Sequence, residues 1–430
     1  MGKLGKIRPY THVPSSALRS HTHRGNAISD DLWHCASYNR PMTNWKTKLI
    51  HPGVRAPQGF QSLADPTWRG STVLFPNASA ANDNWDQYEA GYSYGLYGTP
   101  TTLELASRIC ELENGYHTII TPGGQSAISL VNLAFLRTDD HILIPESIYG
   151  PNRQLANTLL KRLGVEHSFY EPTIGARIHA YFQPNTRLVW CESPGSVTLE
   201  IQDVPAIAEA AHAHGALVAI DNTWSAGVYF DALAHGADIT LQALTKYVGG
   251  HSDILLGSVT AREESTWKAL GDAHQVLGFA ASPDDCTLAL RGLKTLAVRL
   301  RAIEEPALHI ARWLAERPEI ERVLHPALAS CPGHEIWKRD FTGSSGVFSI
   351  VFKEGTEKKQ VLNFVDALHL FKIGYSWAGV TSLAVVYDLT NRKGRPPYQH
   401  RIVRFNIGLE DREDLLEDLE QALRSAIRRT

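Results

Sequence analysis

The strongest restriction on the fold of this chain is a set of short apolar runs, each bounded by glycine or polar residues. Leu188 to Cys191 and Ala216 to Ile220 are continuously apolar, and Ile239 to Leu244 alternates. Runs this short are strands rather than helices, and a strand apolar on both faces needs cover on both faces. Helical patterns separate them. Leu105, Ile109 and Leu112 are spaced four and three apart and form one face, with Gly115 as the stop. Thr118 to Thr121 reads as a strand that runs into Pro122-Gly123-Gly124-Gln125-Ser126 and an apolar helix through Leu136. His141 to Ile144 is a strand leading to Tyr149, and a helix over Asn152–Leu163 follows. Asp203 caps a further helix, with Pro205 in its first turn and Gly215 at its end. Strands alternating with helices predict an α/β fold with a mostly parallel central sheet and helices on both faces.

The pattern changes near residues 290–300. Arg301 to Glu316 reads as a long helix. Val347 to Phe352, Leu370 to Tyr375 and Ile402 to Ile407 read as strands, and Asp411 to Ile427 as an amphipathic closing helix. We expect a smaller α+β C-terminal domain over 300–430, joined near Arg299 to an α/β domain over 103–299 by a helix around Ala289–Arg301. Residues 42–102 form an N-terminal arm. Residues 1–41 carry six Lys/Arg against two Asp and little periodicity. They read as a disordered tail without chemistry; a weak transit-like segment and an upstream extension of a start at Met42 are the other readings.

Bulk properties exclude several classes. The net charge of −3 comes with no basic block, which argues against nucleic acid as a partner. No apolar run approaches the roughly 20 residues of a membrane helix. The five cysteines are odd in number, widely spaced and without a CxxC, as in reduced thiols of a cytoplasmic protein. His212 and His214 are two apart on a predicted helix and do not face each other, so no metal site is expected.

The chemistry concentrates at predicted strand ends, where ligands of parallel sheets bind. Lys246 follows the run Ile239 to Leu244 and precedes Gly249-Gly250. A lysine there is a candidate to hold pyridoxal phosphate (PLP) as a Schiff base. This cofactor needs an amine, an acid near the pyridine nitrogen, a platform for the ring, a phosphate cradle and a clamp for the substrate carboxylate. Lys246 supplies the amine, and desolvation favours its neutral form. Asp221 supplies the acid, with a turn-capping aspartate as the competing reading. Tyr149 supplies the platform, against the reading of a core tyrosine. Gly124, Gln125 and Thr245 offer donors for phosphate. Arg404 stands inside the apolar run Ile402 to Ile407 and must be paired; a carboxylate clamp and a structural ion pair fit equally.

Several motifs carry a resemblance: Tyr94-Gly95 with Gly98-Thr99, Cys191-Glu192-Ser193-Pro194-Gly195-Ser196, Asp221-Asn222-Thr223-Trp224, Thr245-Lys246 with Gly250-His251-Ser252-Asp253, Phe341-Thr342-Gly343-Ser344-Ser345-Gly346, and Tyr375-Ser376-Trp377. In these the chain resembles the Cys/Met-metabolism family of fold-type I PLP-dependent enzymes, from about Met42 onward. Trp377 makes it most similar to members that cleave the Cβ–S bond of L-cystathionine; γ-acting members usually carry a smaller residue there. The resemblance implies Lys246 as Schiff-base lysine, Asp221 as partner of the pyridine nitrogen, Tyr149 as stacking ring, and Gly124, Gln125 and Thr245 as phosphate ligands. It implies Ser376 and Arg404 on the substrate carboxylate, with Trp377 and Tyr149 beside the amino-acid substrate. Tyr94 would cross from a neighbouring subunit to cofactor and substrate, in a homotetramer with sites at dimer interfaces. A γ-lyase or sulfhydrylase, a broad cysteine-S-conjugate β-lyase, and a non-catalytic PLP carrier or regulator are the alternatives.

Three positions depart from the family pattern. Leu96 stands where an arginine usually binds the neighbour's phosphate, which forgoes a charge-assisted hydrogen bond of about 1.5–3 kcal/mol. Ala243 replaces a serine, and Thr381 replaces a glutamate. Because residues 1–41 are read as outside the chemistry, a chain starting at Met42 is expected to turn over substrate at the full-length rate, as a side-by-side activity assay would check.

Overall fold

The computed structural model describes residues 44–50, 62–390 and 398–426. The tail 1–41, Met42 and Ile427 lie outside the described residues. Two sheets organise the rest. The larger holds β1 (His117–Thr121), β2 (His141–Pro145), β3 (Glu166–Tyr170), β4 (Thr186–Glu192), β5 (Leu217–Asp221), β6 (Ile239–Gln242) and β7 (Gly257–Ala261), in the spatial order β1-β7-β6-β5-β4-β2-β3. Only β7 runs against the others, pairing antiparallel with both β1 and β6. The smaller sheet, β10-β11-β9-β8, is antiparallel and contains β8 (Ile320–Leu324), β9 (Val347–Phe352), β10 (Leu383–Tyr387) and β11 (Ile402–Asn406). This is the expected α/β fold with a smaller α+β part.

The large sheet is covered on both faces because successive side chains point to opposite sides. Leu188, Trp190 and Ala219 join Ile128 and Val131 of helix Gly124–Phe135 and Trp267 of helix Glu264–Leu277 in one apolar cluster. Val189, Cys191, Val218 and Ile220 join Leu105 and Ile109 of helix Pro100–Glu113 in the other. That second cluster continues into Phe348, Phe352 and Phe405 of the small sheet. One hydrophobic core therefore runs behind both sheets.

Helix ends follow the expected capping chemistry. Asp203 accepts from the Ala206 N–H, and Gly215 has φ +78°. The first helix differs by one residue. Asn114 takes the left-handed position at φ 55°, and Gly115 only follows it. Asparagine tolerates that region because its short side chain bonds locally. Residues Pro283–Ala315 form one helix through Pro306, and Arg299 lies inside it.

Four elements carry no strong sequence pattern. β7 reads Gly-Ser-Val-Thr-Ala and is wholly buried; its Thr260 hydroxyl pairs with Thr118 at 2.7 Å, and a Cβ on Gly257 would stand 2.4 Å from the Gly123 carbonyl. Small and hydroxylated residues are required by that packing and hide the strand. β3 is an edge strand with mostly part-exposed residues, and β8 carries two exposed charges. Helix Glu264–Leu277 has an N-terminus without a side-chain cap.

The expected strand Leu370–Tyr375 is a turn. The Asp418 carboxylate takes its amides instead: it accepts from the N–H groups of His369 (2.8 Å), Leu370 (2.7 Å) and Phe371 (3.3 Å). Only Lys372 makes a strand-like bridge, to Leu383. Asp418 is buried, so removing it leaves three amides without a partner. Asp418→Ala is expected to cost about 3 kcal/mol of folding stability, read as a lower urea midpoint with an unchanged slope.

Candidate active site

The carboxyl ends of β1, β2, β4, β5 and β6 share one edge of the large sheet. The turn Pro122-Gly123-Gly124 leaves β1 there, Tyr149 follows β2, Glu192 ends β4, Asp221 ends β5, and Lys246 follows β6. A parallel sheet makes this convergence automatic.

Lys246 sits in a tight turn. The Gly249 N–H donates to the Leu244 carbonyl (2.8 Å) and the Gly250 N–H to the Lys246 carbonyl (2.7 Å). Gly250 has φ +71°, and a Cβ on it would stand 2.1 Å from the Arg299 guanidinium. Only glycine lets the chain pass that side chain. The Lys246 amine donates to the Ser376 hydroxyl and lies 5.3 Å from the Trp377 ring centre. Burial first and the Arg404 charge second lower its pKa to about 8, against the opposing pull of Asp221.

Asp221 is tied locally. One carboxylate oxygen accepts from the Thr223 N–H (3.0 Å) and the Thr223 hydroxyl (2.5 Å). The same hydroxyl accepts from the Ala243 N–H at 2.9 Å. Burial pushes the Asp221 carboxyl up, against the pull of Thr223 and Lys246.

Tyr149 is half exposed, and its N–H donates to Glu192 at 2.6 Å. Burial, Asp221 and Glu192 together raise its hydroxyl pKa. Gly124 opens its helix, and a Cβ there would meet the Cβ of Ala243 at 2.7 Å. The amide oxygen of Gln125 is buried without a partner among the described residues. The Thr245 hydroxyl is engaged at both its donor and acceptor sides by Leu256, at 3.2 and 3.1 Å.

Arg404 comes from β11 in the small sheet. Its Nη2 donates to the Ser376 carbonyl at 2.9 Å, its Nε is buried without a partner among the described residues, and the Tyr387 ring centre lies 5.3 Å away. Among the described residues it faces no carboxylate. Arg401, three residues earlier, is paired with Glu321. Ser376 and Ala378 both have left-handed backbones, φ +77° and +69°. That region is strained for residues with a side chain. The Asn406 side chain holds the segment, accepting from the Ala378 N–H (2.8 Å) and donating to the Thr381 carbonyl (3.2 Å).

Tyr94 stands apart. Its carbonyl accepts from Gln87 at 3.1 Å, and its ring meets Tyr97. Among the described residues it makes no hydrogen bond or ring contact with Lys246, Asp221, Tyr149 or Arg404.

A family model described as Cys/Met metabolism PLP-dependent enzyme matches residues 46–424. The chain belongs to this family. The Cys/Met-metabolism PLP enzymes similar to it include a putative cystathionine beta-lyase of Rhizobium johnstonii, 46% identical over 88% of this chain and 96% of that one. Cystathionine beta-lyase MetC of Escherichia coli is 38% identical over 87% and 96%. The crystal structure of metB from Corynebacterium glutamicum superposes with a TM-score of 0.81 at 30% identity, covering 89% of this chain and 98% of that chain. As a member of this family the protein works with pyridoxal phosphate.

Thr223, Glu192 and Tyr387 were not singled out from the sequence for a role. Glu192 is legible by the argument that found Asp221, since it is an acid closing an apolar strand. Thr223 is legible as a hydroxyl two residues past an aspartate, a common turn pairing. Tyr387 has no such signal, because its position beside Arg404 follows only from the register Val385↔Arg404.

The Lys246 amine should titrate near pH 8 rather than 10.5. Acylation of Lys246 in cofactor-free protein, followed by peptide mass spectrometry against pH, is expected to rise through that midpoint. Asp221→Asn should move the midpoint down, and Arg404→Met should move it up.

Proposed function

We propose that this chain is a carbon–sulfur β-lyase that cleaves L-cystathionine to homocysteine, pyruvate and ammonia. One observation carries the reading. The Lys246 amine lies between the Ser376 hydroxyl and the Trp377 ring, and the Arg404 guanidinium, which faces no carboxylate among the described residues, donates to the carbonyl of the same Ser376. A base and an anion clamp thus face one small volume.

The residues present fit pyridoxal phosphate. Lys246 would hold its aldehyde carbon, Asp221 its pyridine nitrogen and Tyr149 its ring. Gly124 and Gln125 would hold its phosphate at the helix start, where a Cβ on Gly124 would collide with Ala243, and Thr245 would join them by releasing its hydroxyl from the Leu256 carbonyl. When bound, the cofactor supplies an electron sink for the charge left on Cα. Arg404 and Ser376 hold the substrate α-carboxylate and aim the Cα–H bond at Lys246. The neutral Lys246 amine takes the Cα proton, and its pKa of about 8 keeps part of it neutral at physiological pH. The Cβ–S bond then breaks with its electron pair on sulfur. A proton from Lys246 or Tyr94 makes the thiol, and the remaining three-carbon enamine takes up water to give pyruvate and ammonia. The Trp377 ring, 5.3 Å from the amine, would shield it from solvent.

Tyr94 fits a role in a neighbouring subunit's site, since it is half exposed and apart from its own Lys246. Leu63 and Leu74 of the same arm are 90% and 89% exposed in the single chain, which supports an arm that docks on another subunit in a homotetramer. The described cysteines, Cys110, Cys191, Cys286 and Cys331, are buried free thiols, in keeping with a cytoplasmic setting. No described helix is long and apolar enough to cross a membrane. We read the large sheet as the cofactor domain, the small sheet as the carrier of the carboxylate clamp, and residues 42–102 as the arm.

Incubation with L-cystathionine should release pyruvate and homocysteine in equal amounts; 2-oxobutyrate with cysteine would overturn the reading. Lys246→Ala is expected to lower kcat by about a thousandfold or more. Arg404→Lys should raise KM about 30-fold, the equivalent of about 2 kcal/mol of lost bidentate binding.

A further inference from the structure

Behind Asp221 and Lys246, on the side away from the open edge, lies a buried carboxyl group that the reaction does not use. Glu113 is the last residue of helix Pro100–Glu113 and is 2% exposed. Among the described residues no lysine or arginine pairs with it. Instead three neutral groups donate to it. Asn222 Nδ2 (3.0 Å) and the Thr240 hydroxyl (3.2 Å) reach one oxygen, and Gln242 Nε2 reaches the other. Asn222 directly follows Asp221 at the end of β5. Thr240 and Gln242 belong to β6, and Gln242 stands four residues before Lys246. Gly227, at φ +67°, closes over the cluster, where a Cβ would come within 2.7 Å of Gln242 and 2.8 Å of Glu113.

The two strand ends are thus joined twice. Thr223 links Asp221 to the Ala243 N–H on the cofactor side, and Glu113 links Asn222 to Thr240 and Gln242 on the rear side. We propose that Glu113 is a positioning residue of the lyase site, which holds the ends of β5 and β6 in register so that Asp221 and Lys246 meet the pyridine nitrogen and the aldehyde carbon of one cofactor molecule. A neutral acceptor would serve these donors less well, because a carboxylate accepts from all three without presenting a donor of its own. Burial opposes the charge and the three donors favour it, with a balance at a pKa of about 7; the other charged group acting on it is Asp231, which also disfavours ionisation.

The inference rests on the cofactor roles proposed for Asp221 and Lys246, so the test separates the two. Wild type, Glu113→Gln, the exchange Glu113→Gln with Gln242→Glu, and Asp221→Asn are each titrated with pyridoxal phosphate. Dissociation constant, pH midpoint of the bound cofactor's absorbance, kcat and KM are recorded. Glu113→Gln should bind the cofactor about tenfold more weakly, shift the absorbance midpoint and lower kcat about tenfold with KM within twofold. The exchange, which restores a donor opposite a carboxylate, should recover most of the affinity. Cofactor affinity and midpoint at wild-type values in Glu113→Gln, with only its melting temperature lowered, would overturn the proposal and leave Glu113 a structural residue. If Glu113→Gln does not fold, isosteric Thr240→Val carries the test: about threefold weaker cofactor binding supports the proposal and unchanged binding overturns it. Unchanged cofactor absorbance in Asp221→Asn would instead overturn the role given to Asp221, whatever Glu113 does.

Discussion

The candidate site depends on the docking of the small sheet against the two segments that carry Asp221 and Lys246. The apolar core is continuous across this contact, and its hydrogen bonds are made by their near neighbours in sequence. Trp224 Nε1–H, three residues past Asp221, donates to the Val347 carbonyl at 3.1 Å. The hydroxyl of Tyr247, next to Lys246, accepts from the Gly346 N–H at 3.0 Å. Gly346 in turn accepts from the Ile407 N–H at the end of β11. Three residues before Ile407 stands Arg404. The position of Arg404 is therefore tied to the segments that carry Asp221 and Lys246 through three hydrogen bonds among buried residues. In such surroundings a lost partner leaves a desolvated group behind, so the arrangement tolerates little slack.

Much of this was legible before any coordinates. The α/β class followed from apolar runs bounded by helices, and the convergence of Gly124, Tyr149, Asp221 and Lys246 followed from strand ends alone. Parallel sheets put their carboxyl ends on one edge, so a reader who places the strands has placed the site. What was not legible rests on contacts between distant segments. β7 is a strand because Gly257 must pass the Gly123 carbonyl and Thr260 must meet Thr118, and neither requirement shows in a five-residue window. The turn at 369–371 looks like a strand until Asp418 removes its amides from sheet pairing. Arg404 left two readings open in the sequence. In the structure its Nη2 meets the Ser376 carbonyl, and among the described residues it faces no carboxylate.

The departures from the family pattern also gain physical content. Ala243 is not merely a serine without its oxygen. Its Cβ packs where a side chain on Gly124 would stand, and its N–H completes the Thr223 bridge. Thr381 offers its backbone carbonyl to Asn406 and so helps hold the loop that carries Ser376. Both positions act through the backbone, which is why a changed side chain is compatible with the same architecture.

That loop carries a conflict between durability and use. Ser376 and Ala378 sit two residues apart in left-handed conformations that glycine would adopt at lower cost. At position 378 the N–H is held by Asn406 and the methyl group is buried in the core, so a glycine there would relax the chain at the expense of packing. At position 376 the side chain meets the Lys246 amine while the backbone meets Arg404, and a glycine would relax the chain at the expense of the hydroxyl. A glycine would thus exchange backbone strain for a lost hydroxyl at one of these positions and for a lost core methyl at the other.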